Sequence, residues 1–309
     1  MSLRVLSLFA GAGGLDLGLR QAGHNLVWAN DFDKDSCETY RKNIDTNIHH
    51  GDVAEFDARK LPDHDILVGG FPCQGFSRAN INRVDGDQRN NLYRHVIRFL
   101  TDKTPPFFLL ENVKGIISLN SGRDFAEILS CLEECHYEVC YSVLNAADFG
   151  VPQNRKRVFI FGVRRDCVSA NSFQFPLPTH SKDGDLILKK WKSIGVALAE
   201  IEDDLKNENC SNHVYSRYKV VNRDFTGHRR TDPDKPSPTI LARGNGGGGV
   251  CAIPHPNNKR RLSVRESAYI QTFPMDFEFV GSLSSMYRQI GNAVPVLLGK
   301  AMGERLRTL

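Results

Sequence analysis

Cys73 stands in the run Gly69-Gly70-Phe71-Pro72-Cys73-Gln74-Gly75-Phe76-Ser77, directly after the apolar stretch Asp65-Ile66-Leu67-Val68. That stretch, bounded by turn residues, reads as a short buried strand. The thiol therefore falls on a bend at a strand's carboxyl end, the edge where open α/β sheets bind ligands. Pro72 fixes its own φ and biases Phe71 toward extended backbone, which holds the approach to the thiol stiff. The polar Gln74-Gly75-Phe76-Ser77 run keeps the thiol out of a core. Most cysteines are small hydrophobes in structural positions; this placement favours a nucleophile. A second candidate is Glu111, which closes the apolar strand Phe107-Phe108-Leu109-Leu110. A carboxyl desolvated at a strand end has a raised pKa and suits a proton donor, the alternative being a helix cap or ion-pair partner. Arg155 and Arg157, at the start of a further strand, suit phosphate or a charged intermediate.

A cofactor site is written into the first fifty residues. Arg4 to Phe9 reads as a strand, and Ala10-Gly11-Ala12-Gly13-Gly14 turns from it into a helix. The loop is not a full G-x-G-x-x-G, because Asp16 takes the last position; this argues against a pyrophosphate cofactor and leaves adenosine-type cofactors open. A second strand, Leu26 to Asn30, ends in Asp31, twenty residues after Gly11 and placed to bind ribose hydroxyls. Phe32 can pack on an adenine. Gly51-Asp52-Val53 marks a third strand end, with an acid suited to the adenine edge. Each acid has a helix cap as its alternative.

These groups need a sheet to collect them. Strands at Tyr137–Asn145 and at 157–163, and helices at 91–101, 124–136, 263–272 and 295–306, complete an α/β pattern. Residues 78–91 read as a long loop of the kind that closes over a site. Ser263 with Glu266 forms a capping box, so Glu266 has a structural reading. The chain has 309 residues, enough for one large domain and a smaller one, and an ordinary composition with 40% hydrophobic and 25% charged residues. No apolar run approaches a membrane span and no signal peptide is evident, so a cytoplasmic protein with reduced thiols is expected. The eight cysteines contain no zinc-type spacing, and no metal is expected. Net charge is +4, yet His213 to Arg265 carries eleven Lys/Arg against three Asp, a basic segment suited to phosphates.

Six stretches in order resemble one family, the DNA (cytosine-5)-methyltransferases. They are Phe9–Gly14, Pro72-Cys73-Gln74, Glu111-Asn112-Val113, Gln153–Arg157, Arg265–Ala268 with Gln271–Pro274, and Gly291–Pro295. In size the likeness is to bacterial type II restriction-modification enzymes. The resemblance implies a Rossmann-like S-adenosylmethionine-dependent α/β domain with a small target-recognition domain, and S-adenosyl-L-homocysteine as product. It implies that Cys73 attacks carbon 6 of a flipped-out cytosine. Pro72 and Gln74 would flank it, Glu111 would bind or protonate nitrogen 3, and Arg157 with Arg155 would steady the base and its phosphate. Phe9, Ala10, Gly11, Gly13, Gly14, Asp31, Phe32, Asp52, Val53, Asn292 and Val294 would hold the cofactor. Asp31 is shorter than the Glu often found there, and Arg89 is followed by Asn90 where the family often has Gly.

The expected division is 1–178 for catalysis and cofactor, 179–284 for target recognition, and 285–309 as a carboxyl-terminal helix returning to the first domain. Ser77, Arg78 and Arg89 in the loop, and Arg229, Arg230, Arg243 and Gly246 in the basic, glycine-rich part, are the expected contacts to double-stranded DNA. A bacterial, cytoplasmic monomer, open to functional pairing with a restriction endonuclease, is the expected form. Three rivals stand beside it: an RNA cytosine methyltransferase, a silent DNA-binding regulator and a free-nucleotide methylase. The first lacks support because the Cys-Phe-Thr signature of such enzymes is absent.

Overall fold

The structure is a computed structural model, and it describes residues 1–72, 92–167, 173–201, 210–215, 231–242, 252–256 and 260–309. Its centre is one seven-stranded sheet: β1 (Arg4–Leu8), β2 (Asn25–Asp31), β3 (Ile48–His50), β4 (Ile66–Gly69), β5 (Phe107–Val113), β6 (Tyr137–Asn145) and β7 (Lys156–Arg164). The order is β3-β2-β1-β4-β5-β7-β6. The strands from β3 to β5 run parallel, whereas β7 is antiparallel to both β5 and β6. Strand positions alternate between two cores, one on each face of the sheet, as the two-residue period requires. Val5, Val68, Leu109 and Phe161 enter one, and Leu6, Leu67, Phe108 and Ile160 enter the other.

Helices α1 (Gly14–Gln21) and α2 (Lys34–Asn43) cover the first face, and α3 (Leu92–Lys103) and α4 (Arg123–Glu134) cover the second. Two short paired strands, β8 (His180–Ser181) and β9 (Lys189–Lys190), and a short helix α5 (Ile194–Leu198) follow the sheet. The chain ends with α6 (Val264–Ile270), α7 (Leu283–Asn292) and α8 (Val296–Leu306). Ser263 and Glu266 form the expected capping box on α6. Among the described residues, no helix is long and apolar enough to cross a membrane.

Chain direction decides where the chemistry collects. The carboxyl ends of β1 to β5 all open on one edge, and β1 lies where the strand order reverses between β2 and β4. Because β7 is antiparallel, its first residues lie on this same edge. The register puts Val113 opposite Arg157 and Arg157 opposite Leu144 in one row across the sheet.

The carboxyl-terminal helix α8 packs back along α1. A Cβ on Gly18 would lie 2.5 Å from the backbone oxygen of Val296 and the backbone nitrogen of Lys300, so the two helices meet backbone to backbone. Gly18→Val should therefore lower the urea midpoint, by roughly 1–3 kcal/mol of stability or more. An unchanged midpoint would show that α8 does not sit on α1 in solution.

Candidate active site

The glycine loop leaves β1 through Phe9, whose φ of 55° is uncommon for a residue with a side chain. The Ala10 amide donates to the Asn30 carbonyl at 2.9 Å, and the Gly13 amide donates to the Ala10 carbonyl at 2.9 Å, which closes the turn. Asp31 ties the next strand end to this loop: its carboxylate accepts the Gly11 amide at 2.7 Å and the Asp33 amide at 2.8 Å. Burial pushes the Asp31 carboxyl up, against those two N–H groups. It is not the cap of α2; Asp33 fills that role by accepting the Ser36 amide at 2.9 Å.

A Cβ added at Gly11 (φ +57°) would meet nothing within 4 Å, so open space lies in front of the loop beside Asp31. Phe32 stands at the neighbouring strand end with 75% of its surface exposed, an aromatic face left for a planar partner. Asp52 caps the turn Val53–Glu55 through one oxygen, accepting the Ala54 amide at 2.9 Å, and Val53 is buried beneath it. On the far side, the backbone oxygen of Val294 lies against Gly14, and Asn292 is exposed at the end of α7. An aromatic face, an acid and open backbone fit the nucleoside half of S-adenosylmethionine.

At the end of β5 and the start of β7, the carboxylate of Glu111 and the guanidinium of Arg157 lie 2.7 Å apart, with both side chains only 10% exposed. Burial pushes the Glu111 carboxyl up, opposed first by Arg157 and then by Arg155. A Cβ at Gly70, just after β4, would sit 3.1 Å from this carboxylate, so the chain passes close beside it. The next residue of β5, Asn112, donates to the Phe71 carbonyl at 3.0 Å. Its own side-chain oxygen accepts the Val113 amide at 2.9 Å. Asn112 thus fastens the Phe71-Pro72 segment to the strand that carries Glu111. The sequence reading gave it no role, although a polar residue at the end of so apolar a strand was the available signal.

Arg155 requires a correction. Its side chain is completely buried and donates to the carbonyls of Ile240, Gly291 and Ala293, each at 2.8 Å. These bonds make Arg155 a clamp between the segments around 240 and 291–293, while its Nε, also buried, has no hydrogen-bond partner among the described residues. Gln153, also unassigned from sequence, donates to Gln271 at 2.8 Å and accepts the Ile240 amide at 2.9 Å. Cys73, Gln74, Ser77, Arg78, Arg89, Arg229, Arg230, Arg243 and Gly246 lie outside the described residues; Pro72, half-buried, is the last described residue before the thiol.

A profile of the C-5 cytosine-specific DNA methylases matches residues 3–308. The chain is 40% identical to the type II methyltransferase M.NgoFVII of Neisseria gonorrhoeae, over 94% of this chain and 83% of that protein. It is 36% identical to the type II methyltransferase M.FnuDI of Fusobacterium nucleatum, over 99% and 94%. The S. pombe Dnmt2 methyltransferase structure superposes with a TM-score of 0.72 at 23% identity, covering 99% of each chain.

Behind the glycine loop, Asp16 is buried and accepts the Ser7 hydroxyl at 2.9 Å and the Tyr40 hydroxyl at 2.8 Å. Burial pushes its carboxyl up to about 6, against those two donors. The folded state then holds this proton more tightly than the unfolded chain. Asp16 therefore contributes stability at low pH that is lost as pH rises through about 6. Between pH 5 and pH 8, Asp16→Asn should gain about 1 kcal/mol on the parent in urea unfolding. Parallel curves for the two proteins would mean that Asp16 titrates normally.

Proposed function

We propose, from the premise that this chain belongs to the C-5 cytosine-specific DNA methylase family, that it modifies one cytosine within a short recognition sequence. It is a DNA (cytosine-5-)-methyltransferase, and its cofactor in this reading is S-adenosylmethionine. When bound, that cofactor supplies an electrophilic methyl group. Phe32 would stack on its adenine, Asp31 would take the ribose hydroxyls, and the backbone around Gly11, with Phe9 and Asn292, would line the remainder. The observation that carries the reading is the buried Glu111–Arg157 pair, held against Gly70 two strands from the glycine loop.

The chain's own residues then divide the chemistry. The target cytosine leaves the duplex, because carbon 6 and nitrogen 3 are inaccessible inside the stack. The Cys73 thiolate forms a bond to carbon 6, and the ring electrons move toward nitrogen 3. Glu111 holds a proton there, which neutralises the charge and leaves carbon 5 electron-rich. Arg157 keeps the Glu111 carboxyl aimed at nitrogen 3, and Asn112 keeps the Phe71-Pro72 approach to Cys73 in line with it. After carbon 5 is substituted, loss of its proton re-forms the double bond and expels the thiolate.

Residues 1–178 would form the catalytic part, 179–284 the recognition part, and 285–309 the returning helix. A monomer working in the bacterial cytoplasm, open to pairing with a restriction endonuclease, completes the reading; the type II names of bacterial relatives support its restriction-modification setting. Incubation with labelled S-adenosylmethionine and unmethylated plasmid, followed by bisulfite sequencing, should reveal protected cytosines in one repeated sequence. Label in transfer RNA alone would contradict the reading. Cys73→Ala should abolish transfer while cofactor affinity stays within about twofold, and Glu111→Gln should lower kcat by about 10²-fold or more. A fully active Glu111→Gln enzyme would remove that carboxyl from the proton step.

A further inference from the structure

Residues 182–188 connect the parallel strands β8 and β9 in a turn whose tip is Leu186-Ile187. These side chains are 106% and 90% exposed, the two most exposed large apolar groups among the described residues. The turn is well built. Asp185 accepts the Ile187 amide at 2.7 Å and the Leu188 amide at 2.6 Å through one carboxylate oxygen, and its own amide donates to the Leu188 carbonyl at 2.9 Å. Ser181 accepts the Gly184 amide at 3.1 Å. The turn holds two aliphatic side chains in water, an arrangement that costs free energy until something covers them.

The base of the turn is fixed to the active-site edge of the sheet. Trp191 donates from its indole to Asp148 at 2.8 Å, the Thr179 amide donates to the Asp148 carbonyl at 2.9 Å, and the His180 ring lies against Gly150. Asp148 and Gly150 follow β6 and precede Gln153-Asn154-Arg155. At that end of β6, Leu144 lies in the same row as Arg157 and Val113. Strands are spaced about 4.8 Å apart, so β6 is roughly 10 Å from β5, a span of about three base pairs. Lys182, Lys189, Lys190 and Lys192 flank the tip in sequence and are all exposed, against the two exposed acids Asp183 and Asp185, the second of which is engaged by the turn's own amides; among the described residues none of the four lysines has an ion-pair partner.

We infer that this turn is a second DNA-docking element, seated on the duplex beside the flipped base. The lysines meet backbone phosphates, and Leu186 and Ile187 press into the adjoining groove as apolar wedges do. The inference rests on the DNA-modifying reading above. It explains the pairing of apolar tip and cationic rim, since a cationic rim alone needs no aliphatic point.

The test uses the full chain, fluorescence anisotropy on a 30-base-pair duplex containing the methylated sequence, and salt from 50 to 200 mM. Leu186→Ser/Ile187→Ser should raise Kd about tenfold with an unchanged salt slope, because it removes apolar surface alone. Lys189→Ala/Lys190→Ala should flatten the slope of log K against log salt by about 2, roughly 0.9 for each phosphate left without its lysine. Both variants should melt at the parent's temperature, because none of these side chains is packed in a core. Parental Kd and slope in both variants, with the parent methylating DNA normally, would overturn this inference and leave the enzyme reading intact. Failure of the parent to methylate any DNA would overturn both.

Discussion

One buried guanidinium joins the parts of the molecule that form the cleft. Arg155 lies at the start of β7, and its three carbonyl partners come from residue 240 and from residues 291 and 293, regions far apart in sequence. Hydrogen bonds to a charged group contribute about 1.5–3 kcal/mol each, and loss of the cation would strand three carbonyls with no donor. Beside it, Gln271 donates to the Ile290 carbonyl at 2.7 Å and accepts from Gln153, so a polar seam runs through an otherwise apolar interior. Such a seam tolerates only one alignment of its partners. It fixes the 291–295 turn, whose Val294 carbonyl forms the wall behind Gly14.

The same seam ties residues 237–240 to the stretch that leads into Arg157. Asn154 donates its amide to the Ser237 carbonyl at 2.8 Å, and Ser237 returns its amide to Pro152 at 2.9 Å. Thr239 adds a bond to the Asn154 carbonyl at 2.6 Å. Residues 237–240 are therefore laid directly along the stretch that leads into Arg157.

Much of this was legible in the sequence because the informative residues sit at strand ends. Apolar runs marked the longer strands, and Asp31 and Glu111 stood at the ends of such runs, whereas β3 showed only through the Gly51-Asp52-Val53 stretch that follows it. The antiparallel placement of β7 was not legible, since neighbouring strands leave no local mark of their direction. Arg155 and Arg157 looked equivalent for the same reason: they stand two residues apart around the start of β7, and only the surrounding fold separates a cation held by carbonyls from one paired with a carboxylate. Asn112 and Gln153 escaped because their partners, Phe71 and Gln271, are distant in sequence. Asp16, read only as a missing glycine, turned out to be a buried acceptor for Ser7 and Tyr40.

The Cys73 thiol and a proton held by Glu111 are proposed to act together on one cytosine ring. This joint action is tested most directly with a duplex carrying 5-fluorocytosine at the modified position. Fluorine cannot be removed as the carbon-5 proton is, so the adduct between Cys73 and carbon 6 should persist once carbon 5 is methylated. With S-adenosylmethionine present, the account predicts a protein–DNA complex that survives denaturation, with a mass increase mapping to the peptide containing Cys73. It also predicts no such complex for Cys73→Ala. Methylation of ordinary duplex without any trapped complex on the fluorinated one would contradict the covalent mechanism, and a complex mapping to another cysteine would contradict the assignment of the thiol.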